Sequence, residues 1–372
     1  MPVLLDARTG IAREDMAACR ALLRGGSRTF FAASMLLPAR FREPATALYA
    51  FCRLADDAVD LDRTSPAAAI ERLQGRLELI YAGRPSSSPA DRAFCATIER
   101  FSIPRVLPEA LIEGFAWDVQ GRQYETLDDL NAYAARVAGT VGAMMSLVMG
   151  RRQSETVSRA CELGIAMQLS NIARDVGEDA RAGRLYLPRQ WLRDVGIDPD
   201  NWLAAPVFSP ALGCVVRRLL MAADQIYARS SIGIGDLPLG CRPAIRAARF
   251  LYADIGRQVG LNGFDSVSQR AVVPAFRKAQ VIAGSFVART HLNAIRYSPV
   301  LDEARFLIDA VSRTPARKNS DGTIAWLVDL FERLERQDQV RRGQSTEALF
   351  QQPRLHHYRV PQQAAQLQKL EC

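Results

Sequence analysis

The chain has 372 residues, of which 48% are hydrophobic and 24% are charged, so it can bury a large core like an ordinary globular protein. Its net charge of +8 is carried almost entirely by arginine. That charge suits nucleic acid, an anionic membrane surface or a phosphate-bearing substrate, and composition does not choose among them. The length by itself would allow two or three domains.

Cysteine and histidine usage excludes several kinds of site. The seven cysteines are scattered, odd in number and without a CxxC pair, which argues against a disulfide framework and a zinc site. Only three histidines are present, so we expect no histidine metal cluster and no nucleophilic triad. We find no signal-peptide pattern and no run of about 18 apolar residues, which predicts a cytoplasmic protein without a transmembrane helix.

The apolar pattern predicts helices nearly throughout the chain. Apolar residues recur at 3.6-residue spacing, and proline or glycine punctuates most of the gaps. The predicted helices cover, in chain order, residues 44–59, 66–82, 108–120, 127–150, 156–176, 210–230, 243–260 and 273–290. No run of alternating β-branched residues is long enough to indicate a sheet. The sequence therefore predicts one all-α domain over residues 10–300.

The composition changes after Ser312. SRTPARKNSDG has the composition of a linker, a short amphipathic helix is predicted over residues 323–340, and a polar, Gln-rich end follows. We expect residues 312–372 to form a linker, this helix and a largely disordered tail. Ten Lys and Arg minus seven Asp and Glu leave this segment with a charge of +3. That charge suits weak membrane-surface contact better than nucleic-acid binding.

Two predicted helices carry oxygen-bearing side chains along one face. The first stripe consists of Asp56 and Asp60, and the second of Gln168, Asn171, Asp175 and Asp179. Like charges four residues apart repel by about a few tenths of a kcal/mol, and the second stripe lacks the lysine partners of a solvated acidic face. Oxygen ligands on facing helices suit Mg²⁺ or Mn²⁺ with a substrate diphosphate. The spacing favours such a site and leaves a structural role open.

Arginines lie beside both stripes. Arg53 precedes Asp56 by three residues, Arg174 adjoins Asp175, and Arg28 lies in GGSRTFF near the start. Guanidinium groups bind phosphate oxygens bidentately. A surface or ion-pair role is the alternative for each arginine taken singly, and their joint placement beside the carboxylates favours phosphate binding.

The stretch VAGTVGAMMSLVMG, residues 137–150, is apolar and rich in small residues. One interpretation is a tightly packed buried helix. The other is a helix whose glycines leave room for a long apolar ligand, with flexible methionines forming the wall. A dinucleotide site is excluded at GIGDLPLG, because Pro238 replaces the third glycine and no strand precedes it.

The chain resembles the head-to-head prenyl synthases, which include squalene, dehydrosqualene and phytoene synthases. The resemblance runs from about Cys19 to Lys278 and rests on GSRTFFAASMLLP, LYAFCRLADDAVD, VAGTVG and QLSNIARDVGEDARAGRLYLP. DVGEDARAGRLYLP is most similar to bacterial phytoene synthases. The resemblance implies an all-α, isoprenoid-synthase-type bundle around a central cavity, with Mg²⁺ or Mn²⁺ as cofactor and no NADPH.

The resemblance also implies the site residues. The metal ligands would be Asp56, Asp60, Asn171, Asp175 and Asp179. The diphosphate-binding residues would be Ser27, Arg28, Thr29, Tyr49, Arg53, Gln168, Arg174 and Tyr252. The four aspartates with Arg53 and Arg174 would carry catalysis. The chain departs from the family at SRTF, where SKSF is usual, and at Ala135, where relatives often have a tyrosine and this chain has Tyr133 further back.

The implied activity is phytoene synthase, which condenses two geranylgeranyl diphosphates through a cyclopropyl diphosphate and opens carotenoid biosynthesis. The alternatives are a synthase that uses farnesyl diphosphate and a non-catalytic assembly factor with the same fold. The five intact metal positions argue against the assembly factor, and the absence of a concentrated basic patch with aromatics argues against nucleic-acid binding. We also predict peripheral contact with the inner face of a membrane and product hand-off to a carotenoid desaturase.

Overall fold

The computed structural model describes residues 11–26, 28–61, 66–287 and 299–316, with the side chains of residues 28, 29, 60, 61 and 287 outside that description. Within these ranges the chain is helical and contains no strand, which confirms the all-α prediction. The α-helices are α1 (Arg13–Gly26), α2 (Arg28–Ser34), α3 (Ala39–Leu61), α4 (Pro66–Tyr81), α5 (Pro89–Phe101), α6 (Val106–Val119), α7 (Leu127–Ala134), α8 (Thr140–Val148), α9 (Ser154–Arg181), α10 (Arg189–Asp194), α11 (Pro199–Ala204), α12 (Pro210–Ser230), α13 (Arg242–Leu261), α14 (Ala275–Val287) and α15 (Arg305–Arg313).

Helix α9 is the central element of the bundle. It packs against α8, α12 and α13, and most of its residues are buried. Apolar side chains such as Ile165, Leu169 and Ile172 leave almost no surface exposed. A helix that is apolar on most sides is stable only inside a core, surrounded by other helices. The polar stripe of this helix is therefore also inside the molecule, where it can face only a cavity.

Two glycines let the backbone of α9 touch the backbone of α8 and of the residues just before α8. A Cβ atom on Gly142 would overlap the carbonyl oxygen of Ala160, and one on Gly164 would overlap the carbonyl oxygen of Ala138. Each overlap is with backbone, which cannot move aside as a flexible side chain can. The small residues of VAGTVG thus serve close helix packing, and both glycines also line a cavity beside the contact.

The single helix predicted over residues 127–150 is wrong in detail, because a π-helical segment, Ala135–Gly139, separates α7 from α8. The amide of Thr140 donates to the carbonyl of Ala135 five residues back, which defines the wider turn. Such one-turn insertions are frequent at functional sites. The hydrophobic periodicity of the sequence does not reveal a residue inserted into a helix, because the sequence stays apolar through the π-helical segment.

The other predicted helices lie within α3, α4, α6, α9, α12 and α13, with ends that differ by a few residues. Residues 288–290 of the last prediction lie outside the described part, and α14 ends at Val287. The prediction missed α1, α2, α5, α10, α11 and α15. Helix α15 follows the predicted domain boundary at 300 and packs against α6, α8 and α9 through Leu307, Ile308 and Val311. Residues 317–372, with the predicted helix and tail, lie outside the described residues.

We predict that Gly164→Ala destabilises the fold. The added methyl group would meet the Ala138 carbonyl and force α9 away from the π-helical segment Ala135–Gly139, which costs about 1–3 kcal/mol. The measurement is the free energy of unfolding by denaturant titration. The matched control is Gly75→Ala on α4, where an added Cβ meets nothing within 4 Å. That variant should be stabilised by roughly 0.5–1 kcal/mol through helix propensity. Equal effects of the two changes would contradict the packing explanation.

Candidate active site

A polar cavity of about 700 Å³ lies between α3, α6, α7, α9 and α13. Carboxylates and guanidinium groups face each other across it. The acidic lining residues are Asp56, Asp118, Asp175 and Asp179, and the basic ones are Arg53, Arg174, Arg184 and Arg270. Burying charges of one sign alone is expensive, so both signs are needed to hold this chamber together. The same mixture can bind an anionic ligand and a cation side by side.

Asp175 is held by two arginines. Arg174 Nε donates to Asp175 Oδ1 over 2.7 Å, and Arg270 Nε donates to the same oxygen over 2.8 Å. Burial by itself raises the pKa of Asp175, but the hydrogen bonds and charges of the two arginines outweigh it and hold the pKa below its ordinary value. This carboxylate is therefore ionised at neutral pH.

Asp179 lies one helical turn further along the same face, in a different environment. Burial, and next the charge of Asp175, raise its pKa to about 7, while Arg184 opposes the shift. The protonated form of this carboxyl group is therefore favoured first by its removal from water and second by the neighbouring carboxylate. A cation bound beside the two carboxylates would offset the second effect.

Gly177 explains how Arg270 reaches the cavity. Its amide donates to the carbonyl of Ser266 over 2.9 Å, and a Cβ at this position would lie 2.5 Å from the Val267 carbonyl oxygen. The loop after α13 can therefore lie directly against α9 only because residue 177 lacks a side chain. The loop carries Arg270 onto Asp175 and, over 3.0 Å, onto Glu178. Nothing in the periodic pattern of the sequence indicated this arginine.

Asp118 and two tyrosines form a cluster in the cavity wall that the sequence reasoning also missed. Tyr133 donates to one oxygen of the Asp118 carboxylate over 2.8 Å, and Tyr186 donates to the other over 2.7 Å. The rings of Tyr133 and Tyr186 stack, with their centroids 5.1 Å apart. Burial, followed by the charge of Asp118, raises the pKa of Tyr133 well above its ordinary value, so this phenol stays protonated. Tyr133 lines the cavity, whereas Ala135 is wholly buried in the π-helical segment.

A second, apolar cavity of about 290 Å³ continues from the polar one. The two share seven lining residues, namely Phe30, Tyr49, Cys52, Val137, Gln168, Asn171 and Tyr252. The methionines of the small-residue stretch that line it are Met145 and Met149, which confirms a ligand-sized space beside that helix. Met144 is instead buried in the core. A charged chamber that opens into an apolar one suits an amphiphile with an anionic head and a hydrocarbon tail.

The structure places most of the predicted site residues in these cavities. Those lining the polar one are Tyr49, Arg53, Asp56, Gln168, Asn171, Arg174, Asp175, Asp179 and Tyr252. Arg53 lies 2.7 Å from Asp57 and 3.5 Å from Asp56, which fixes it at the rim. Ser27 and the side chains of Arg28, Thr29 and Asp60 lie outside the described residues.

The oxygen-bearing side chains of the polar cavity fit a divalent cation in their chemistry but not in their present positions. No three His, Cys, Asp or Glu side chains among the described residues converge closely enough to hold a metal. The reason lies partly in Asp175, whose carboxylate faces two arginines. The chemistry of the set nevertheless fits, since Asp56, Asn171, Asp175 and Asp179 offer only oxygen ligands to one cavity.

The family model of squalene/phytoene synthases matches residues 23–277. The chain belongs to the squalene/phytoene synthase family. This confirms the resemblance read from the aspartate-rich motifs, and the match covers the helices that build both cavities.

Curated relatives extend the match over most of the chain. A phytoene synthase of Rhodobacter capsulatus is 51% identical over 310 residues, which cover 81% of this chain and 91% of that protein. A phytoene synthase of Cereibacter sphaeroides is 47% identical, covering 86% of this chain and 94% of the relative. A 15-cis-phytoene synthase of Paracoccus sp. is 42% identical, and the match covers 72% of this chain and 90% of that protein.

Solved structures of two related enzymes share the fold. A dehydrosqualene synthase in complex with a ligand matches with a TM-score of 0.67 and 30% identity, covering 73% of this chain and 95% of that one. A squalene synthase of Alicyclobacillus acidocaldarius matches with a TM-score of 0.63 and 25% identity. This match covers 68% of this chain and 95% of that one.

We predict that Tyr133→Phe lowers kcat by about tenfold or more, because the hydroxyl faces the cavity and orients the Asp118 carboxylate. Steady-state kinetics measures the change. The matched control is Tyr81→Phe, which removes a hydroxyl that donates to the Ile103 carbonyl outside the cavities. This control should lose about 1 kcal/mol of stability and keep its kcat. Equal kcat values in the two variants would remove Tyr133 from the site.

Proposed function

We propose that this chain is a phytoene synthase, which joins two molecules of geranylgeranyl diphosphate head to head and releases diphosphate. The observation that carries the proposal is the charged chamber that opens into an apolar cavity, in a family member. The phytoene synthase prediction is confirmed by curated relatives of that name at 42–51% identity. The farnesyl-using alternative has weaker support, from a dehydrosqualene synthase structure at 30% identity.

The arginines of the polar cavity would bind the diphosphate groups. Arg53, Arg174 and Arg270 each present a guanidinium group to the cavity, and each now contacts a carboxylate. A diphosphate can take these hydrogen bonds over, because guanidinium forks match phosphate oxygens at least as well as carboxylate oxygens. The exchange would release Asp175 from the two arginines that hold it.

Carboxylates freed in this way would hold the cation. The proposed ligands are Asp56, Asp60, Asn171, Asp175 and Asp179, with Mg²⁺ or Mn²⁺ as the ion. When bound, the ion neutralises charge on the departing diphosphate. The structure thus supports coupled binding of the two ligands. When the arginines bind phosphate, they release the aspartates, which can then bind the metal. Asp179, the carboxylate with the raised pKa, gains most from a cation nearby.

The proposed chemistry has two ionisations. The first substrate loses diphosphate to give an allylic cation, and the double bond of the second substrate attacks it. Proton loss then leaves a cyclopropyl diphosphate. That intermediate loses its own diphosphate, rearranges to a 1-1′ bond, and gives phytoene by a last proton loss. Because the final step releases a proton and takes up no hydride, this product requires no nicotinamide.

The protein's part in these steps is to stabilise charge and exclude water. The arginines stabilise the negative charge that develops on each leaving group. The apolar walls protect the carbocations from water, which would trap them as alcohols. Released diphosphate is one acceptor for the two protons. The Asp118 carboxylate is another, through a relay in which the oxygen of Tyr133 or Tyr186 takes up a proton while that hydroxyl passes its own proton to Asp118.

The product test incubates the full-length protein with Mg²⁺ and geranylgeranyl diphosphate, and separately with farnesyl diphosphate. We expect a forty-carbon hydrocarbon from the first incubation, identified by chromatography and mass spectrometry. A thirty-carbon product alone would replace the proposal by the farnesyl-using alternative.

The metal assignment predicts that Asp175→Asn loses activity by at least about a hundredfold, because one anionic ligand becomes neutral. The helical circular dichroism signal should survive. Glu155→Gln on the same helix is the control, since this exposed carboxylate lies at the far end of α9, outside both cavities.

Removing metal with EDTA should abolish turnover and added Mg²⁺ should restore it. Near-normal activity of Asp175→Asn would overturn the assignment.

Membrane contact and hand-off to a desaturase remain predictions, because the tail that motivates them lies outside the described residues. No helix in the described part of the chain is long and apolar enough to cross a bilayer.

A further inference from the structure

The apolar cavity follows the axis of α9. Eight residues of that helix line it, and five of them, Asn171, Gln168, Gly164, Ala160 and Thr156, succeed each other three or four positions apart on one stripe. At 1.5 Å per residue this stripe is roughly 22 Å long. Helix α3 and helix α13 line the cavity in the same order, from Cys52 to Ala45 and from Tyr252 to Ile245. The cavity is therefore a channel that begins at the polar site.

The end of the channel away from the polar site has a wall of its own. Met149, just after α8, and Thr156, in the first turn of α9, both line it and are almost fully buried. The 3₁₀ segment Ser231–Asp236 lies against Arg159 there, so closely that a Cβ on Gly233 would overlap the Arg159 side chain. Backbone packed in this way gives the wall little freedom to retreat.

Buried ions stiffen the same wall. Arg159, with 4% of its surface exposed, donates over 2.7 Å to both carboxylate oxygens of the fully buried Glu162. Arg229 donates to the same carboxylate over 2.7 Å. A hydrocarbon tail cannot replace these hydrogen bonds, and moving one partner would leave a buried charge uncompensated. Arg159 itself lines the channel, so the apolar path ends at a fixed charged cluster.

We propose that this end wall, made by Met149, Thr156 and Arg159, selects the length of the prenyl tail. Each isoprene unit adds four carbon–carbon bonds of about 1.5 Å, or roughly 5 Å of extended chain. Four units then need roughly 20 Å, which fits a stripe of roughly 22 Å, whereas five units would run into the wall. The inference rests on the proposed function and adds to it the residues that set substrate length.

Ala160 offers a way to shorten the channel. It lies eleven residues from Asn171, or roughly 17 Å along α9, and its side chain keeps partial exposure within the bundle. Ala160→Phe would fill the space needed by the fourth isoprene unit and leave room for three. We expect kcat/KM for geranylgeranyl diphosphate to fall at least tenfold relative to that for farnesyl diphosphate, whose turnover is retained.

Met149→Ala should have the opposite effect, because it removes part of the wall. We expect severalfold faster use of a five-unit prenyl diphosphate relative to the four-unit one. The matched control is Met144→Ala, which deletes the same side chain from a fully buried position that does not line the channel. Met144→Ala should lower the melting temperature and leave the preference for chain length unchanged.

The assay uses the full chain with Mg²⁺ and compares kcat/KM for three-, four- and five-unit diphosphates, with circular dichroism melting for every variant. Equal losses with all substrates in Ala160→Phe, or identical preferences in Met149→Ala and Met144→Ala, would overturn the end-wall assignment. If Ala160→Phe does not fold, the comparison of chain-length preference between Met149→Ala and Met144→Ala decides whether the end wall selects tail length. A wild-type protein that turns over none of the three diphosphates would instead refute the proposed function, and the length assignment with it.

Discussion

The direct backbone contact between α8 and α9 is the constraint on which the rest of the structure depends. Gly142 and Gly164 allow it, because a side chain at Gly142 would strike the Ala160 carbonyl of α9 and one at Gly164 would strike the Ala138 carbonyl just before α8. The contact fixes α8 along α9, so that one stripe of α9 faces a space bounded by α3, α8 and α13. Large side chains at the contact would separate the helices and destroy the shape of that space.

One helix therefore lines both the charged cavity and the apolar one. The C-terminal part of α9 carries Asp175 and Asp179 into the polar cavity, and its N-terminal part forms the wall of the apolar one. A straight helix holds the two regions at a fixed separation, since its rise per residue does not vary. The distance from the proposed diphosphate site to the proposed end wall is thus determined by the helix itself.

The polar cavity is a balance of charges that a ligand can rearrange. Arginines hold Asp175 and depress its pKa, while burial, and next the charge of Asp175, raise the pKa of Asp179. In the proposed function, phosphate oxygens would compete for the arginines and a cation would compete for the carboxylates. Binding of either partner would free ligands for the other, which is the physical basis for expecting head group and metal to bind together.

The sequence by itself determined the helical fold, the two oxygen-bearing stripes and the family, because helix periodicity and the DVGED motif are local properties of neighbouring residues. It did not give the π-helical segment, since one inserted residue leaves apolar character unchanged. Nor did it give Asp118, Tyr186 or Arg270, which reach the cavity from α6 and from two loops. Only the tertiary structure decided those neighbours and the end wall of the channel, because both depend on contacts between segments far apart in the chain.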